Sequence, residues 1–326
     1  MSEEFKRIIV SRTDNIGDVV LSLPVFASLK KCFPTTETVA LVSDYTADVV
    51  RSSSHVDNVI TWNYDESILS AYKKLKKNPA DAIVILFPRF KIAAASFLAR
   101  LPIRIGIAYR WYSFLFNRKV REHRKHSVKS EAEYNLTLVE ALGCESKVLE
   151  IRLNVDKSAS DSVDAFLDQN CLTKFIMVHP GSGGSAFEWG AENFREVVKD
   201  ITDAIGENIV VTGTASERSL CTKISEGIGN AVNAAGRFSL LEFIALASRA
   251  DLFISNSTGP LHLAASVGTP VIGIYPNKKP MTPVRWSPLT DKKIILTPND
   301  GSDNLSLITT RDVLQAIRKL IPAIAK

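Results

Sequence analysis

Two polar segments, far apart in the chain, follow apolar runs and carry residues that could do chemistry. The first is Arg12–Asp18, with the sequence RTDNIGD, and it directly follows the apolar residues 8–10. The second is Ser255–His262, with the sequence SNSTGPLH, and it directly follows residues 252–254. Each pattern predicts a strand that ends in a glycine-containing turn and leads into a helix. Ligands bind at such turns in open parallel sheets, so each segment is a candidate half of a binding site.

The first segment offers two carboxylates, Asp14 and Asp18, on either side of Gly17. A carboxylate at a strand end can act as a general base and remove the proton from an attacking hydroxyl group. An aspartate at a helix start can also serve only as a cap. The pattern alone does not choose between these two roles.

The second segment combines hydroxyls, a glycine and a proline at the start of a helix, which suits a phosphate group. Ser257 or Thr258 can cap the helix, and Pro260 is tolerated in its first turn. A diphosphate bound there would gain hydrogen bonds and the favourable end of the helix dipole. His262 lies one step into the helix and either contacts phosphate or is a structural histidine. The sequence has no Asp-x-Asp or other clear metal-binding cluster, so dipoles and hydroxyls would have to replace a cation.

Two further turns in the second half follow predicted strands. The glycine-rich segment His179–Ser185 could wrap an anion with its backbone amides, or it is a flexible connector. It matches neither the dinucleotide fingerprint nor the P-loop. Glu217 follows the strand at residues 209–212 and could bind a ribose diol or cap the next helix.

The elements that must position these turns alternate between strand and helix. Apolar runs predict strands at residues 7–11, 39–42, 59–62, 82–87, 103–107, 175–178, 209–212, 231–233, 252–254 and 271–275. Helical spacing predicts helices at residues 19–32, 68–75, 93–101, 131–142, 194–205, 217–228, 240–247, 261–267 and 312–321. This alternation predicts an α/β fold whose parallel sheets are covered by helices on both faces. Polarity rises around residues 149–160, so we expect two Rossmann-like domains, 1–155 and 156–326.

Composition narrows the class of protein. A length of 326 residues suits two α/β domains, and the four cysteines form no CxxC pair or Cys/His cluster. This spacing predicts neither a disulfide framework nor a zinc site. The acidic start lacks the pattern of a signal peptide, and the apolar runs are too short to span a membrane. We therefore expect a protein of the reducing cytoplasm that is soluble or at most peripheral to a membrane.

Positive charge is concentrated in one stretch of the first half. The net charge is +5, and Arg100–Lys129 contains nine Lys and Arg residues but only one acidic residue, Glu122. Aromatic residues are interleaved with these cations at positions 111, 112, 114 and 116. Such a patch attracts anions, so the candidate partners are an anionic lipid surface, a phosphorylated substrate or nucleic acid. The alternative is a solvated basic face on a connector.

Taken in chain order, five motifs resemble those of glycosyltransferase family 9, the bacterial heptosyltransferases of lipopolysaccharide inner-core assembly. They are Asp14–Asp18, the His179–Gly181 turn with Trp189, the Gly213–Glu217 turn, Ala235–Gly236, and Asn256–His262. Residues 104–106 and 126–143 extend the likeness over nearly the whole chain.

The resemblance implies the GT-B fold, in which two Rossmann-like domains face each other across a cleft. It also implies an inverting transfer of heptose from ADP-heptose to phosphorylated Kdo–lipid A, without a metal or other cofactor. Asp18 would be the general base, and Glu217 would hold the ribose of the donor. The expected acceptor site, in the N-terminal domain, comprises Asp14, Asn15, Arg89, Arg110 and Arg118. The expected donor site, in the C-terminal domain, comprises Ser182, Gly183, Ser185, Thr212, Glu217, Ser257, Thr258, Gly259 and His262.

Two positions in the donor half depart from the family pattern. Phe187 stands where many members carry a lysine two residues before the tryptophan, and Ser257 stands where many carry an aspartate. Both changes leave room for another nucleotide-activated sugar and a different envelope glycan, or for a noncatalytic sugar-nucleotide-binding protein.

Two other classes of protein are disfavoured. A nicotinamide dehydrogenase would need a Gly-x-Gly-x-x-Gly motif after a strand, and this motif is missing. A nucleic-acid-binding protein is disfavoured because no known nucleic-acid-binding motif accompanies the basic patch. We expect a monomer at the cytoplasmic face of the inner membrane, whose partners are an ADP-sugar, a phosphorylated glycolipid and the anionic membrane surface.

Overall fold

The chain forms two compact units that divide between Leu153 and Asn154. The computed structural model describes residues 4–148 and 151–322. Each unit is built on one six-stranded sheet, and all strand pairs within the two sheets are parallel.

The first unit ends at Leu153. Its strands are β1 (Arg7–Ser11), β2 (Glu37–Val42), β3 (Asn58–Thr61), β4 (Ala82–Ile85), β5 (Ile103–Ile107) and β6 (Arg118–Val120). Its helices are α1 (Ile16–Val20), α2 (Leu23–Cys32), α3 (Ala47–Arg51), α4 (Ile68–Lys77), α5 (Phe90–Leu98) and α6 (Glu131–Val139). The strand order is β3-β2-β1-β4-β5-β6, so the order reverses between β1 and β4 and a crevice opens at the carboxyl ends of these central strands.

The second unit has the same arrangement. Its strands are β7 (Phe175–His179), β8 (Asn208–Val211), β9 (Ala231–Asn233), β10 (Leu252–Asn256), β11 (Val271–Ile274) and β12 (Lys293–Leu296). Its helices are α7 (Lys157–Gln169), α8 (Ala191–Ala204), α9 (Arg218–Ser225), α10 (Leu240–Arg249), α11 (Gly259–Ser266), α12 (Pro283–Trp286) and α13 (Thr310–Leu320). The strand order is β12-β11-β10-β7-β8-β9, with the reversal between β10 and β7.

The central strands have no exposed face. Ile8, Ile9 and Val10 of β1 are fully buried, and so are residues 176–178 of β7 and 252–254 of β10. Helices cover both faces of each sheet, which is why these strands are nearly continuous apolar runs rather than alternating ones. The α/β prediction with parallel sheets is confirmed.

The helix predicted over residues 19–32 is divided in the structure, where α1 ends and α2 begins a few residues later. Pro24 lies in the first turn of α2, where its missing N–H is not needed. In one continuous helix, the ring of Pro24 would clash with the carbonyl group of Val20. The hydroxyl of Ser22 instead donates to the Val19 carbonyl over 2.6 Å. Asp18 is therefore carried on a short helix of its own.

Several elements were not predicted from the sequence. The strands β6 and β12 form the outer edges of the two sheets and are short and partly polar, as edge strands often are. The helix α7 begins where the sequence suggested a linker. Its buried residues are Ala159, Val163 and Phe166, and Asp156 caps it by accepting a hydrogen bond from the Ala159 N–H over 2.9 Å.

A disulfide joins Cys32, the last residue of α2, to Cys144, which follows the 3-10 turn at residues 140–142. The sequence predicted no disulfide framework, because no local spacing pairs these cysteines. They are 112 residues apart, and only the packing of α2 on α6 brings their Cα atoms within 5.7 Å. In the part of the chain that the structure describes, no helix has the length and apolar character needed to cross a membrane.

Candidate active site

Polar side chains gather at the carboxyl edge of the first sheet. Asp18 follows β1, Tyr45 follows β2, Arg89 follows β4 and Arg110 follows β5. These strands are neighbours and parallel, so the segments after them lie at the same edge of the sheet. This edge contains the first predicted half-site.

Arg12, the residue directly after β1, lies at the centre of a buried group of polar side chains. Its side chain is only 2% exposed. The Nε atom donates to Oδ1 of Asp14 over 2.7 Å, and Nη2 donates to Oδ1 of Asp18. The Nη1 atom donates to Oε1 of Glu131 over 2.7 Å and to Oδ1 of Asn135 over 2.9 Å. We call these five residues the Arg12 cluster; in it, one guanidinium group holds three carboxylates.

The pKa of Asp18 is raised to about 7 by its position in the Arg12 cluster. Burial is the largest influence and raises the pKa, because it penalises the charged form. The positive charge of Arg12 lowers the pKa, whereas the negative charges of Asp14 and Glu131 raise it. A carboxylate that is half ionised near neutral pH is suited to accept a proton during catalysis.

The charge of Arg12 is secured by the same neighbours. Burial alone would lower the pKa of the guanidinium group, but the carboxylates of Asp14, Asp18 and Glu131 raise it above its usual value. Arg12 is therefore a permanent cation that fixes one oxygen of Asp18.

Glu131 and Asn135 were not predicted as site residues. They lie at the start of α6, where Ser130 and Glu133 form a capping box that fixes the first turn of the helix. Both side chains are completely buried. The sequence carries one weak signal, an arginine in the turn after a buried strand, which requires an acidic partner somewhere in the fold.

The five residues predicted for an acceptor site have different positions. Asp14 belongs to the Arg12 cluster, and Asn15 precedes α1 and lies 3.4 Å from the hydroxyl of Tyr45. The guanidinium group of Arg89 donates to the Thr13 carbonyl over 3.4 Å. Arg110 is exposed at the same sheet edge.

Arg118 differs from the other four because it is the first residue of the edge strand β6. Its guanidinium group donates to the Ala141 carbonyl over 2.9 Å. The structure therefore does not bring Arg118 to the Arg12 cluster.

The second unit gathers its polar turns at the carboxyl edge of the neighbouring strands β10, β7 and β8. Asn256, the last residue of β10, joins two of these turns. Its Oδ1 accepts from the Trp189 N–H over 3.0 Å, and its Nδ2 donates to the Pro180 carbonyl over 2.7 Å. The amide of Asn256 thus fixes the loop after β7 beside the turn that leads into α11.

The loop after β7 is ordered by its own hydrogen bonds. The Ser182 hydroxyl donates to Glu188 over 2.7 Å and accepts from the Gly184 N–H over 3.1 Å. The Ser185 hydroxyl donates to the Ser182 carbonyl over 2.6 Å. Gly183 and Gly184 have φ angles of +54° and +78°, a backbone conformation that favours glycine.

Glu217 is half-buried next to this loop. Its Oε1 accepts from the Gly183 N–H over 3.2 Å, and its Oε2 accepts from the N–H and the hydroxyl of Thr214 over 2.7 and 2.8 Å. Burial raises the pKa of Glu217. The hydrogen bonds from Thr214 and the electrostatic influence of His179 lower it, and the pKa is lowered overall. Thr212 lies below, buried, with its hydroxyl 3.0 Å from Nδ1 of His179.

The start of α11 contains buried polar atoms that have no protein partner. Thr258 is the N-cap residue, but its side chain makes no capping hydrogen bond. Among the described residues, Oγ1 of Thr258 and Nδ1 of His262 are buried without a hydrogen bond. Burial, aided by the charge of Lys293, lowers the pKa of His262 to about 4, so the ring is neutral at physiological pH. Ser257 and Gly259 flank Thr258 at this helix start.

Comparison with known proteins identifies the family. The sequence pattern of glycosyltransferase family 9 (heptosyltransferase) matches residues 68–306. A relative from Haemophilus influenzae is 30% identical and covers 97% of both chains, but its name states glycosyltransferase only provisionally and gives neither sugar nor acceptor. The chain belongs to glycosyltransferase family 9.

Two heptosyltransferases are also similar over most of their length. The lipopolysaccharide core heptosyltransferase OpsX of Haemophilus influenzae is 26% identical over 86% of this chain and 82% of its own. The solved E. coli ADP-heptose lipopolysaccharide heptosyltransferase II is 20% identical, with a TM-score of 0.82 over 97% of this chain and 98% of that one. The GT-B fold class and the glycosyltransferase activity expected from the sequence are confirmed.

This glycosyltransferase has an unusual contact at one of its departures from the family pattern. Phe187 packs against the core of the second unit. The Nζ atom of Lys278 lies 5.6 Å from the centre of the Phe187 ring. This lysine comes from a different loop and also forms an ion pair with Asp303 over 3.5 Å.

Proposed function

We propose that this enzyme is an inverting, metal-independent heptosyltransferase that moves heptose from ADP-heptose to the phosphorylated Kdo–lipid A inner core of lipopolysaccharide. The observation that carries the proposal is the Asp18 carboxylate, which Arg12 holds at the carboxyl edge of the first sheet with a pKa near 7. The names of the E. coli and Haemophilus influenzae relatives favour this donor and this class of acceptor.

Asp18 acts as the general base in this mechanism. Arg12 occupies Oδ1, and within the described ranges no hydrogen bond reaches Oδ2, which therefore can receive the proton of the acceptor hydroxyl. As that proton leaves, the hydroxyl oxygen attacks the anomeric carbon of heptose. The bond from this carbon to the diphosphate breaks on the opposite face, so the configuration inverts and ADP departs with the electron pair.

The donor diphosphate binds at the start of α11. The unpartnered Oγ1 of Thr258 and Nδ1 of His262 suit the phosphate oxygens, with Ser257 and Gly259 beside them. The helix dipole and these polar groups stabilise the negative charge that develops on departing ADP.

The rest of the nucleotide is held by the neighbouring turns. Glu217 receives three hydrogen bonds here, which leaves about one of its four acceptor sites for a hydroxyl of the ribose. Ser182, Gly183 and Ser185 contact the phosphates from the loop after β7. Thr212 acts indirectly, since it is buried and supports His179.

We propose that the reaction proceeds without a metal ion. The three carboxylates of the Arg12 cluster neutralise a guanidinium group instead of forming a set of metal ligands. No group of three metal-binding side chains occurs elsewhere among residues 4–148 and 151–322. In this mechanism the start of α11 balances the charge on the leaving diphosphate.

The acceptor binds at the first unit, beside the membrane surface. Residues 82–121 contain eight Lys and Arg residues and no acidic residue. Asp14, Asn15, Arg89 and Arg110 lie at the same sheet edge as Asp18 and suit a phosphorylated glycolipid. Exposed aromatic side chains on the same segment, Trp111 and Phe114, suit contact with the anionic cytoplasmic face of the inner membrane. We propose that the enzyme works there as a peripheral monomer.

A second candidate is transfer of a different sugar to another envelope glycan. It is favoured by Phe187 and Ser257, which both alter the donor half relative to the family pattern.

A donor panel combined with Asp18→Asn tests the proposal. ADP-heptose should raise the melting temperature of the wild-type enzyme more than UDP- or GDP-sugars do. Asp18→Asn should keep this thermal shift while kcat falls about 10²–10⁴-fold, the usual contribution of a general base. In the wild type, kcat/KM should fall as the pH drops below about 7, because Asp18 becomes protonated.

Two results would count against the proposal. A preference for a uridine-diphosphate sugar would exclude ADP-heptose as the donor and favour the second candidate function. Turnover at the wild-type rate in Asp18→Asn would show that Asp18 is not the general base.

A further inference from the structure

The Arg12 cluster contains more charge than is needed to hold one catalytic aspartate. A second guanidinium group, that of Arg124, donates to Oε1 of Glu131 and, over 3.2 Å, to Oδ1 of Asn135. Glu131 therefore binds Arg12 and Arg124 through the same oxygen, although its side chain is completely buried. A buried carboxylate is retained only where such partners compensate for its loss of water.

Glu131 and Asn135 are placed to act on Arg12 together. They are four residues apart on α6, so both side chains lie on the face that meets Arg12. The Nδ2 atom of Asn135 also donates to the Leu21 carbonyl over 3.2 Å, at the end of α1. The helix that carries Asp18 is thereby tied to the helix that holds its arginine.

We propose that Glu131 and Asn135 are positioning residues that act on Asp18 through the Arg12 guanidinium group, aiming its carboxylate and limiting the positive charge that reaches it. This inference rests on the proposed function for the reaction it assists. Neither residue needs to touch a substrate, because each is buried behind Arg12.

The physical reason is a competition for the charge of Arg12. An aspartate paired with an unopposed arginine would be a weak base, since the cation stabilises its ionised form. The negative charge of Glu131 opposes Arg12 and raises the pKa of Asp18, after the larger effect of burial.

Other charged and titratable groups also face Asp18, and they stay constant in the comparison below. Asp14 raises the pKa of Asp18 further. Tyr45 faces Asp14 and Asp18 from the segment after β2, and its own pKa is raised to about 12 by burial and by these two carboxylates. Arg89 approaches from the segment after β4, where it contacts the Thr13 carbonyl.

Two substitutions with opposite charge effects test the inference. Glu131→Gln removes a negative charge but keeps an oxygen for both arginines, so the pKa of Asp18 should fall by roughly one unit. Asn135→Asp adds a negative charge beside the same guanidinium groups and loses the hydrogen bond to the Leu21 carbonyl, and the added charge should raise the pKa of Asp18. The matched control is Glu133→Gln, because Glu133 is exposed on the same helix turn and glutamine preserves the capping box.

The primary measurement does not depend on activity. The ¹³Cγ resonance of Asp18 is titrated in protein labelled at aspartate and is assigned by its loss in Asp18→Asn. The second measurement is the acid limb of kcat/KM for transfer, which should move with the NMR value in each variant. The KM for the donor should not change, because neither residue belongs to the donor half.

The outcomes separate this inference from the proposed function. Shifts in opposite directions, with Glu133→Gln at the wild-type value, support the inference. An unchanged Asp18 titration in Glu131→Gln and Asn135→Asp overturns it; if Glu131→Gln does not fold, an unchanged titration in Asn135→Asp is sufficient to do so. Shifts in the NMR titration that the acid limb does not follow leave the electrostatic role of Glu131 intact but overturn Asp18 as the base, and with it the proposed function.

Discussion

The backbone of Gly181 packs directly against the carboxylate of Glu217. A Cβ atom on Gly181 would lie 2.0 Å from Oε1 and 2.3 Å from Cδ of that side chain. Gly181→Ala should therefore push the Glu217 carboxylate away from the position where we propose it holds the ribose. We expect affinity for ADP to fall by about tenfold or more, equivalent to about 1.4 kcal/mol, as measured by isothermal titration calorimetry.

The control for Gly181→Ala is Gly229→Ala, because a Cβ atom on Gly229 meets nothing within 4 Å. This variant should bind ADP like the wild type. If Gly181→Ala also bound ADP with wild-type affinity, the position of Glu217 would be irrelevant to the donor.

His262 provides a prediction about pH and hydrogen bonding. Burial lowers the pKa of His262 to about 4 in the free protein, so we expect the ring to meet the donor as a neutral imidazole and to cause no rise in affinity between pH 8 and pH 5.5. The unpartnered atom is Nδ1, and an asparagine amide reaches the Nδ1 position better than a glutamine amide does. His262→Asn should therefore bind ADP more tightly than His262→Gln, and the loss in His262→Gln should be about tenfold.

Calorimetry of ADP binding at several pH values checks both parts of this prediction. A wild-type affinity that rises as the pH falls through 6.5, and loses that rise in His262→Asn, would mean that a charged imidazole binds the phosphate.

Local pattern predicted the sheet strands well because burial on both faces leaves a strong apolar signal. The strands β1, β5 and β9 have the predicted bounds, Arg7–Ser11, Ile103–Ile107 and Ala231–Asn233. The edge strands β6 and β12 lack this signal because none of their residues is fully buried, whereas β9, an edge strand that is also only partly buried, was nevertheless predicted. The division between α1 and α2 could have been predicted from Pro24, whose effect on a continuous helix is local.

The candidate site was only partly predictable, because some of its residues are placed by the local sequence and others by contacts between distant parts of the chain. Asp18 and Thr258 lie in the short segments that follow apolar strands, so sequence spacing alone places them near a sheet edge. Glu131 contacts Arg12 across 119 residues, and its burial is decided by how α6 packs rather than by its own surroundings in the sequence. Arg118 shows the converse, since a basic stretch does not reveal which of its cations is used internally.

The disulfide between Cys32 and Cys144 predicts a dependence of stability on redox conditions. A crosslink across 112 residues restricts the unfolded chain, and such native bonds typically contribute about 2–4 kcal/mol. Reduction with dithiothreitol, or the substitution Cys32→Ser, should lower the free energy of unfolding by about this amount in urea titrations. Cys171→Ser is the control, because Cys171 is exposed and free. Equal stability of oxidised and reduced protein would show that the bond does not form in solution.

We expect the enzyme to contact the membrane through the outer surface of α5 and the turn after β5. Phe90 of α5 packs against Trp111 with ring centres 4.8 Å apart, and Trp111 and Phe114 are 73% and 68% exposed. Arg104 lies over the Phe97 ring, so cations border the aromatic surface. Aromatic side chains can enter the lipid interface while the basic residues attract anionic headgroups.

Vesicle sedimentation checks this prediction. The enzyme should bind vesicles that contain phosphatidylglycerol, and bind them less at high salt, because headgroup attraction is screened. Trp111→Ser combined with Phe114→Ser should reduce the bound fraction about tenfold, whereas Val284→Ser, which removes an apolar side chain of the second unit that is 59% exposed, should not. Equal binding to neutral phosphatidylcholine vesicles would contradict the charge contribution. Unchanged binding of the double variant would place the contact on another surface, because loss of two interfacial aromatic residues cannot leave the affinity of their own contact intact.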